Sequence, residues 1–315
     1  MLRAAAVRGV AMAATLLIAS FIIFAALHFS PGSSAAFILG GDQSNVTPAQ
    51  IAQVTAEYGL DEPLFVRYGR WLSGVFHGDW GRSYTMRLDV WELMAARLPT
   101  TLGVIALSSL VSISAGICIG LLTTIARRGV ATAITVLTTI GFATPGFVAA
   151  MLLVAVFAVH LGWFPAMGSG EGFADGLWHL VLPSLALGLT TSCIVARITR
   201  VSMSEELHRE HVQTAVIRGV PTRLVLWRHV LRNALIPIVT IAGLSVAAKV
   251  AGTVIIEFAF GLHGLGTLLL GAVQQKDVPV VQAASFVLVS AYVLVNLVVD
   301  LLYVVIDPRV RLGSH

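Results

Sequence analysis

The stretch LGVIALSSLVSISAGICIGLL, residues 102–122, runs without a single charged side chain. About 20 such residues carry a helix across a bilayer core. A transmembrane barrel would need short strands of alternating polarity instead. Comparable runs lie near 10–29, 100–125, 132–160, 179–200, 235–262 and 282–306, so about six spanning helices are expected. The whole chain agrees: 57% of its 315 residues are hydrophobic and 11% are charged, with mean hydropathy +0.88. A soluble domain carries roughly 25% charged residues. The expected fold class is an all-α integral membrane protein in contact with lipid.

The net charge of +4 does not point to nucleic acid, because the arginines follow topology rather than collecting with aromatics on one soluble face. With alternating spans, Arg3, Arg8, Arg127, Arg128, Arg197, Arg200, Arg309 and Arg311 fall on one side, which the positive-inside rule makes the cytoplasm. Both termini are then cytoplasmic, and residues 30–97 lie outside, where Asp42, Glu57, Asp61, Glu62, Asp79, Asp89 and Glu92 balance the arginines. Arg3 and Arg8 ahead of an apolar run imitate a signal peptide, but the run is long and leads into Ser30-Pro31-Gly32 without a clear small-residue cleavage site, so retention is expected.

In the outer segment, Thr47-Pro48-Ala49-Gln50 reads as a capping box with proline at the first helical position, closed at Gly59. A second helix begins at Pro63, with Tyr68, Trp71, Leu72, Val75 and Phe76 as a stripe suited either to the membrane interface or to packing on the spans. Ser112, Gly116 and Gly120, spaced by four, let a neighbouring helix approach closely. Pro145 should kink the third span, whereas Pro183 falls where the fourth begins. Cys118 and Cys193 both lie within spans and read as packing residues rather than a disulfide or metal pair.

Between two apolar runs stands EHVQTAVIRGVPTRLVLWRHVLRNALIP, residues 210–237, whose Arg218, Arg223, Arg228 and Arg232 exclude it from the bilayer core. It must sit in water or against a partner. Val212, Ala215 and Val216 form a small apolar face at helical spacing, Gln213 and Arg218 offer polar contacts, and Gly219 can stop the helix in a left-handed conformation ahead of Pro221. Such a strip is a docking surface.

The chain cannot itself bind ATP through a Walker A loop, since Lys249 precedes Val250 and Lys276 precedes Asp277. Neither HExxH nor GxSxG occurs, and the histidines are scattered between the two faces, so neither a metal site nor an enzyme is expected. Lys249 and Glu257 share one face of the fifth span and, with Thr240, Ser245 and Thr253, form a candidate polar pathway; partners on neighbouring helices are the competing reading. Glu257 and Asp300 could serve a proton-coupled secondary transporter, although both lie toward span ends and no inverted repeat is visible.

The strip, with Gln213-Thr214-Ala215, Gly219, Arg228-His229, Arg232-Asn233-Ala234 and Pro237, resembles the EAA loop of permease subunits in binding-protein-dependent ABC importers. EYGLDEPLFVRYGRWL, GDWGRS, RLPTTL, LGWFP, HLVLPSLALGL, EFAFGLHGLGTLL, KDVPVVQ and DLLYVVIDPRVRLG extend the likeness over nearly the whole chain, toward the B-type subunit of the dipeptide/oligopeptide/nickel group. Gln213 and Thr214 depart from the acidic residue and first alanine of the EAA pattern, and His263 stands where proline is common.

The resemblance implies a type I importer permease fold. Residues 1–29 would hold the N-terminus and first span, 30–97 an extracytoplasmic segment, 98–306 a five-helix core with a coupling loop at 201–234, and 307–315 a cytoplasmic tail. It further implies ATPase contacts through Glu210, Val212, Gln213, Thr214, Ala215, Val216, Arg218, Gly219, Arg223, His229, Asn233 and Pro237. Implied partners are a second homologous permease, two cytoplasmic ATPase domains that bind ATP and Mg, and an extracytoplasmic substrate-binding protein met by 30–97 and the 262–281 loop. Di- or oligopeptides are the expected cargo, with nickel, glutathione or another small solute as alternatives, and the chain itself needs no cofactor.

Overall fold

The computed structural model describes residues 2–29, 47–57 and 61–306, without the side chains of 2–6, 48, 54, 57, 222 and 300–306. The Ser30-Pro31-Gly32 exit, the Gly59 stop, the Asp300 side chain and the tail with Arg309 and Arg311 lie outside the described residues. In chain order the helices are α1 Leu2–His28, α2 Pro48–Glu57, α3 Leu64–Phe76, α4 Val90–Ala95, α5 Leu98–Ile125, α6 Arg128–Ala143 and α7 Gly146–Leu153, the last continuing as a π-helical turn Val154–His160. They are followed by α8 Gly172–Leu207 and α9 Glu210–Ile217. A single turn Thr222–Leu224 and a π-helical turn Val225–Leu231 lead into α10 Arg232–Ala259, then α11 Leu265–Gln274 and α12 Val278–Ile306. Among the described residues, five helices are long and apolar enough to cross a membrane, and the pair Arg128–Ala143 and Gly146–His160 makes a sixth span if taken together. A bilayer offers no water to an unpaired backbone, which is why the chain answers its apolar runs with helices.

Pro145 does more than kink the third span: the two halves of that pair are bent by 108°. Thr144 and Pro145 are both extended, and α7 restarts with Pro145 as its N-cap, where its missing N–H costs nothing. Pro183, expected at the start of the fourth span, lies instead inside α8 and is buried. The reason is local: Asp175 Oδ2 accepts the Glu171 amide at 2.8 Å and sits in the first turn, so the helix starts at Gly172, ahead of the apolar run.

The chain divides into two compact units, Met1–Thr101 with His263–Val293, and Leu102–Leu262 with Leu294–His315. In the first, the Thr47–Gln50 capping box forms, the Thr47 amide reaching Gln50 Oε1 at 3.0 Å and the Gln50 amide reaching Thr47 Oγ1 at 3.4 Å. The α3 stripe packs on α1: Phe24 meets Tyr68 and Trp71 at 5.6 and 6.1 Å, and the Tyr68 hydroxyl lies 2.8 Å from Ser20 Oγ. Phe76 remains exposed on α3, the part of that stripe not packed on α1. Asp277 is buried just ahead of α12 and accepts from Ser83 Oγ at 2.5 Å and from the Tyr84 and Thr85 amides at 3.2 Å each. A buried carboxylate is tolerated when donors replace its water, and here they also stitch GDWGRSYT to the α11–α12 turn.

In the second unit, α8 and α10 contribute to two apolar clusters. One gathers Val104, Ala150, Leu180, Leu182, Ala186, Ile256, Phe260 and Leu262; the other holds Val195 and Met203 of α8 with Ala234 and Ile238 of α10. Helix α5 lies against α8 through glycines. A Cβ on Gly116 would stand 2.6 Å from Val195 Cβ, and one on Gly120 2.5 Å from Thr199 Cβ and 2.7 Å from the Ala196 carbonyl oxygen. The small-residue spacing therefore does mark a close helix approach.

Gly120→Ala is expected to force α5 and α8 apart and destabilise the unit by about 1–3 kcal/mol, the usual cost of overpacking a fitted core. Gly271→Ala, where the added carbon meets nothing within 4 Å beyond its own stretch of helix, should not destabilise and gains up to about 1 kcal/mol of helix propensity. Apparent melting temperatures of the two variants in detergent check the difference.

Candidate functional site

The basic strip does not form one loop. Its first third is α9, its middle a left-handed turn, and its last third the entry into α10. Helix α9 begins after an extended Arg209 with Glu210 in its first turn, where a negative charge suits the helix dipole. It stops at Gly219, φ +75°. There the Gly219 amide bonds the Val216 carbonyl at 2.9 Å and the Val220 amide bonds the Ala215 carbonyl at 3.1 Å, the paired bonds of a Schellman stop.

The expected apolar face splits. Val212 and Ala215 are buried in the cluster with Val195, Met203, Val225, Val230, Leu231, Ala234 and Ile238, whereas Val216 is 59% exposed. The first two hold α9 to its own bundle and are not available to a partner. The outward surface consists of Glu210, Gln213, Thr214, Val216, Arg218 and Gly219, together with Ile217, which is 85% exposed and which the sequence reading passed over. An apolar pair open on a short polar helix is what a covering partner would explain.

Glu206, also missed, organises this region. It is buried at the end of α8, and its Oε1 accepts from Asn233 Nδ2 at 2.9 Å and lies 3.2 Å from His211 Nε2, while Oε2 lies 3.2 Å from Arg209 Nε. Asn233 also donates to the His229 carbonyl at 3.0 Å. One carboxylate thus ties the end of α8, the first turn of α9 and the first turn of α10. Its signal in the sequence was an acid that closes an apolar run directly before a basic strip. Arg223 and Pro237 are exposed and His229 half-buried, all on the entry into α10.

The candidate pathway residues do not line an open face. Lys249, Thr253 and Glu257 are buried; Lys249 Nζ donates to Ser112 Oγ at 2.8 Å, and Thr253 Oγ1 donates to Glu257 Oε1 at 3.3 Å. Thr240 and Ser245 are half-buried and bond the Ile236 and Ala242 carbonyls of their own helix. Lys249 thus has a partner on a neighbouring helix, α5. Free Cys193 packs on Gly141, and Cys118 is exposed.

Residues 112–312 match the family described as binding-protein-dependent transport system inner membrane component, and residues 1–105 match the N-terminal part of such membrane components. The chain belongs to this family, and the two matches together are those of dipeptide/oligopeptide-group permeases. It is similar to a probable peptide ABC transporter permease protein of Sinorhizobium fredii, 34% identical over 96% of this chain and 97% of that one. The glutathione transport system permease protein of Salmonella paratyphi A is 36% identical over 94% and 95% of the two chains. Among solved structures, the inward-facing MetNI methionine ABC transporter aligns with TM-score 0.58 at 16% identity, covering 68% of this chain and 96% of that one. A second, an amino acid ABC transporter, aligns with TM-score 0.54 at 14% identity, over 67% and 93%. The fold is that of ABC importer permeases, and the chain is a multi-pass inner-membrane subunit of such a system, a permease rather than an enzyme. Proton-coupled secondary transport is not favoured.

Glu206→Ala should leave Asn233, His211 and Arg209 without their shared acceptor and loosen α9. Its amides at 212–217 are expected to exchange with deuterium about tenfold faster, equivalent to a loss of about 1.5 kcal/mol. Exchange mass spectrometry on this peptide against one from α5 reads the effect.

Proposed function

We propose that this chain is one of two transmembrane halves of an ATP-driven importer, and that α9 is the element through which separate ATPase subunits move it. Both termini and α9 face the cytoplasm, where the arginines concentrate. Two ATPase domains bind ATP and Mg there, a second homologous permease completes the pathway, and a substrate-binding protein delivers cargo from outside. The segment 30–97 and the region around α11 meet that protein. The core 98–306 carries the translocation machinery, with 201–234 as its coupling region.

The observation that carries this reading is the two-sided α9. Its inner side, Val212 and Ala215, is packed into the bundle, and its outer side sets Val216 and Ile217 among Gln213, Thr214 and Arg218. A push on the outer side is passed to α8 and α10 through the apolar cluster and Glu206. The ATPase supplies the energy, and the two arrangements of the pathway are alternative packings whose populations its closure shifts.

The cargo proposed is a di- or oligopeptide, supported by the peptide and glutathione permeases among the relatives. Glutathione is itself a short peptide, so the two names describe one chemistry. Nickel or another small solute carried by the same machinery is the alternative.

Ile217→Asp places a charge on the outer side without touching the buried one. Membrane insertion and thermal stability are expected to stay within about 0.5 kcal/mol of wild type. Affinity for the ATPase should fall by about 2 kcal/mol, the loss typical of an interface anchor, and uptake into proteoliposomes should fall with it. Unchanged uptake and unchanged ATPase retention would remove α9 from the coupling path.

A further inference from the structure

On the α9 side of the second unit, a cavity of about 430 Å³ opens among α5, α6 and α8, lined by Thr123, Thr135, Thr138, Arg197, Arg200 and Glu205. Arg197 and Arg200 lie toward the α9 end of α8, the end that the distribution of arginines makes cytoplasmic. A guanidinium at the end of a spanning helix lies at the level of the lipid headgroups, whose phosphates match its charge. Among the described residues no ion pair joins either arginine to an acid, Glu205 included.

Threonine oxygens of α6 orient the two forks, Arg200 closely and Arg197 loosely. Thr135 Oγ1 donates to the Ala131 carbonyl at 2.7 Å, so its lone pairs face the cavity and one takes Arg200 Nη1 at 2.5 Å. Thr139 Oγ1 likewise donates to the Thr135 carbonyl at 2.8 Å and accepts from Arg197 Nη2 at 3.5 Å. The Arg197 plane also lies 5.8 Å over the Phe142 ring. Each guanidinium has five N–H donors, so most of each fork remains for an anion. Alongside, α6 buries none of its residues, and Val136, Leu137 and Ile140 are exposed at 52%, 67% and 59%.

We propose that this cavity binds the phosphate of an anionic phospholipid, with the two forks on the phosphate oxygens and the acyl chains along the exposed apolar side of α6. The absence of a paired acid leaves charge for an anion, and two features select a lipid over a soluble one: the position of the arginines at the end of a spanning helix, where headgroups lie, and the uncovered apolar surface of α6 beside them. The cytoplasmic leaflet is the source, given the orientation proposed above; the chemistry of the site does not depend on that orientation.

The test uses the importer purified with its partner subunits in nanodiscs of phosphatidylcholine containing graded phosphatidylglycerol, with retained lipid counted by native mass spectrometry. Wild type is expected to retain phosphatidylglycerol in preference to phosphatidylcholine. Arg197→Gln with Arg200→Gln should lower that preference about 25-fold, two basic side chains at about fivefold each. Arg197→Lys with Arg200→Lys, which keeps the charge and loses the fork, should fall between. Equal retention by wild type and the glutamine variant would overturn the site, and so would a wild type without lipid preference, a result that stands even if the variant fails to fold. Displacement of the lipid by millimolar inorganic phosphate would overturn the lipid assignment in favour of a free anion.

Discussion

A helix of eight residues such as α9 falls well below the roughly 12–15 residues at which an isolated helix holds in water. Its shape is therefore lent to it by the bundle. Val212 and Ala215 enter the same apolar cluster as residues of α8 and α10, the Schellman bonds close its end, and Glu206 fixes its first turn. In the proposed coupling, these attachments are also the route by which force on the helix would reach the spans. A helix stable alone on a flexible tether could be displaced without moving anything else.

The membrane imposes the second constraint, and the charged residues divide according to how they meet it. Asp277 meets it with three donors from a single neighbouring segment, and Lys249 with a serine hydroxyl. Glu206 meets it with an amide and basic neighbours at the end of the apolar region. Arg197 and Arg200 have only threonine oxygens, which orient a guanidinium but do not neutralise it. The two carboxylates thus have donors that replace their water, whereas the cations of Lys249, Arg197 and Arg200 rest on neutral hydroxyl oxygens.

Local chemistry was legible in the sequence, and long-range pairing was not. The Thr47–Gln50 box, the Gly219 stop and the glycine spacing of α5 each depend on residues within a few positions, and each stands in the structure as its residue types require. Glu206 and Asp277 draw partners from 27 and 194 positions away, which no local pattern reports. Pro183 was misplaced because hydropathy marks where a helix enters lipid, not where it begins; Asp175 starts α8 outside the apolar run. Val216 was grouped with Val212 and Ala215 because helical spacing identifies a face only to within its width. One turn of helix cannot tell the side that meets its own protein from the side that meets another.

These distinctions shape how the proposed coupling would work. Close packing makes the α9 end of the second unit stiff: glycines bring α5 against α8, and one apolar cluster joins α8, α9 and α10. Farther along lie the weak points, Pro183 inside α8 and the 108° break at Pro145 between α6 and α7. Proline removes a backbone bond and concentrates bending where it sits. A displacement entering at α9 would pass through the stiff end nearly undiminished and be taken up at these prolines. Stiffness at the point of contact and compliance beyond it is the arrangement that lets a small movement of a short helix become a change of opening at the far side of the bundle.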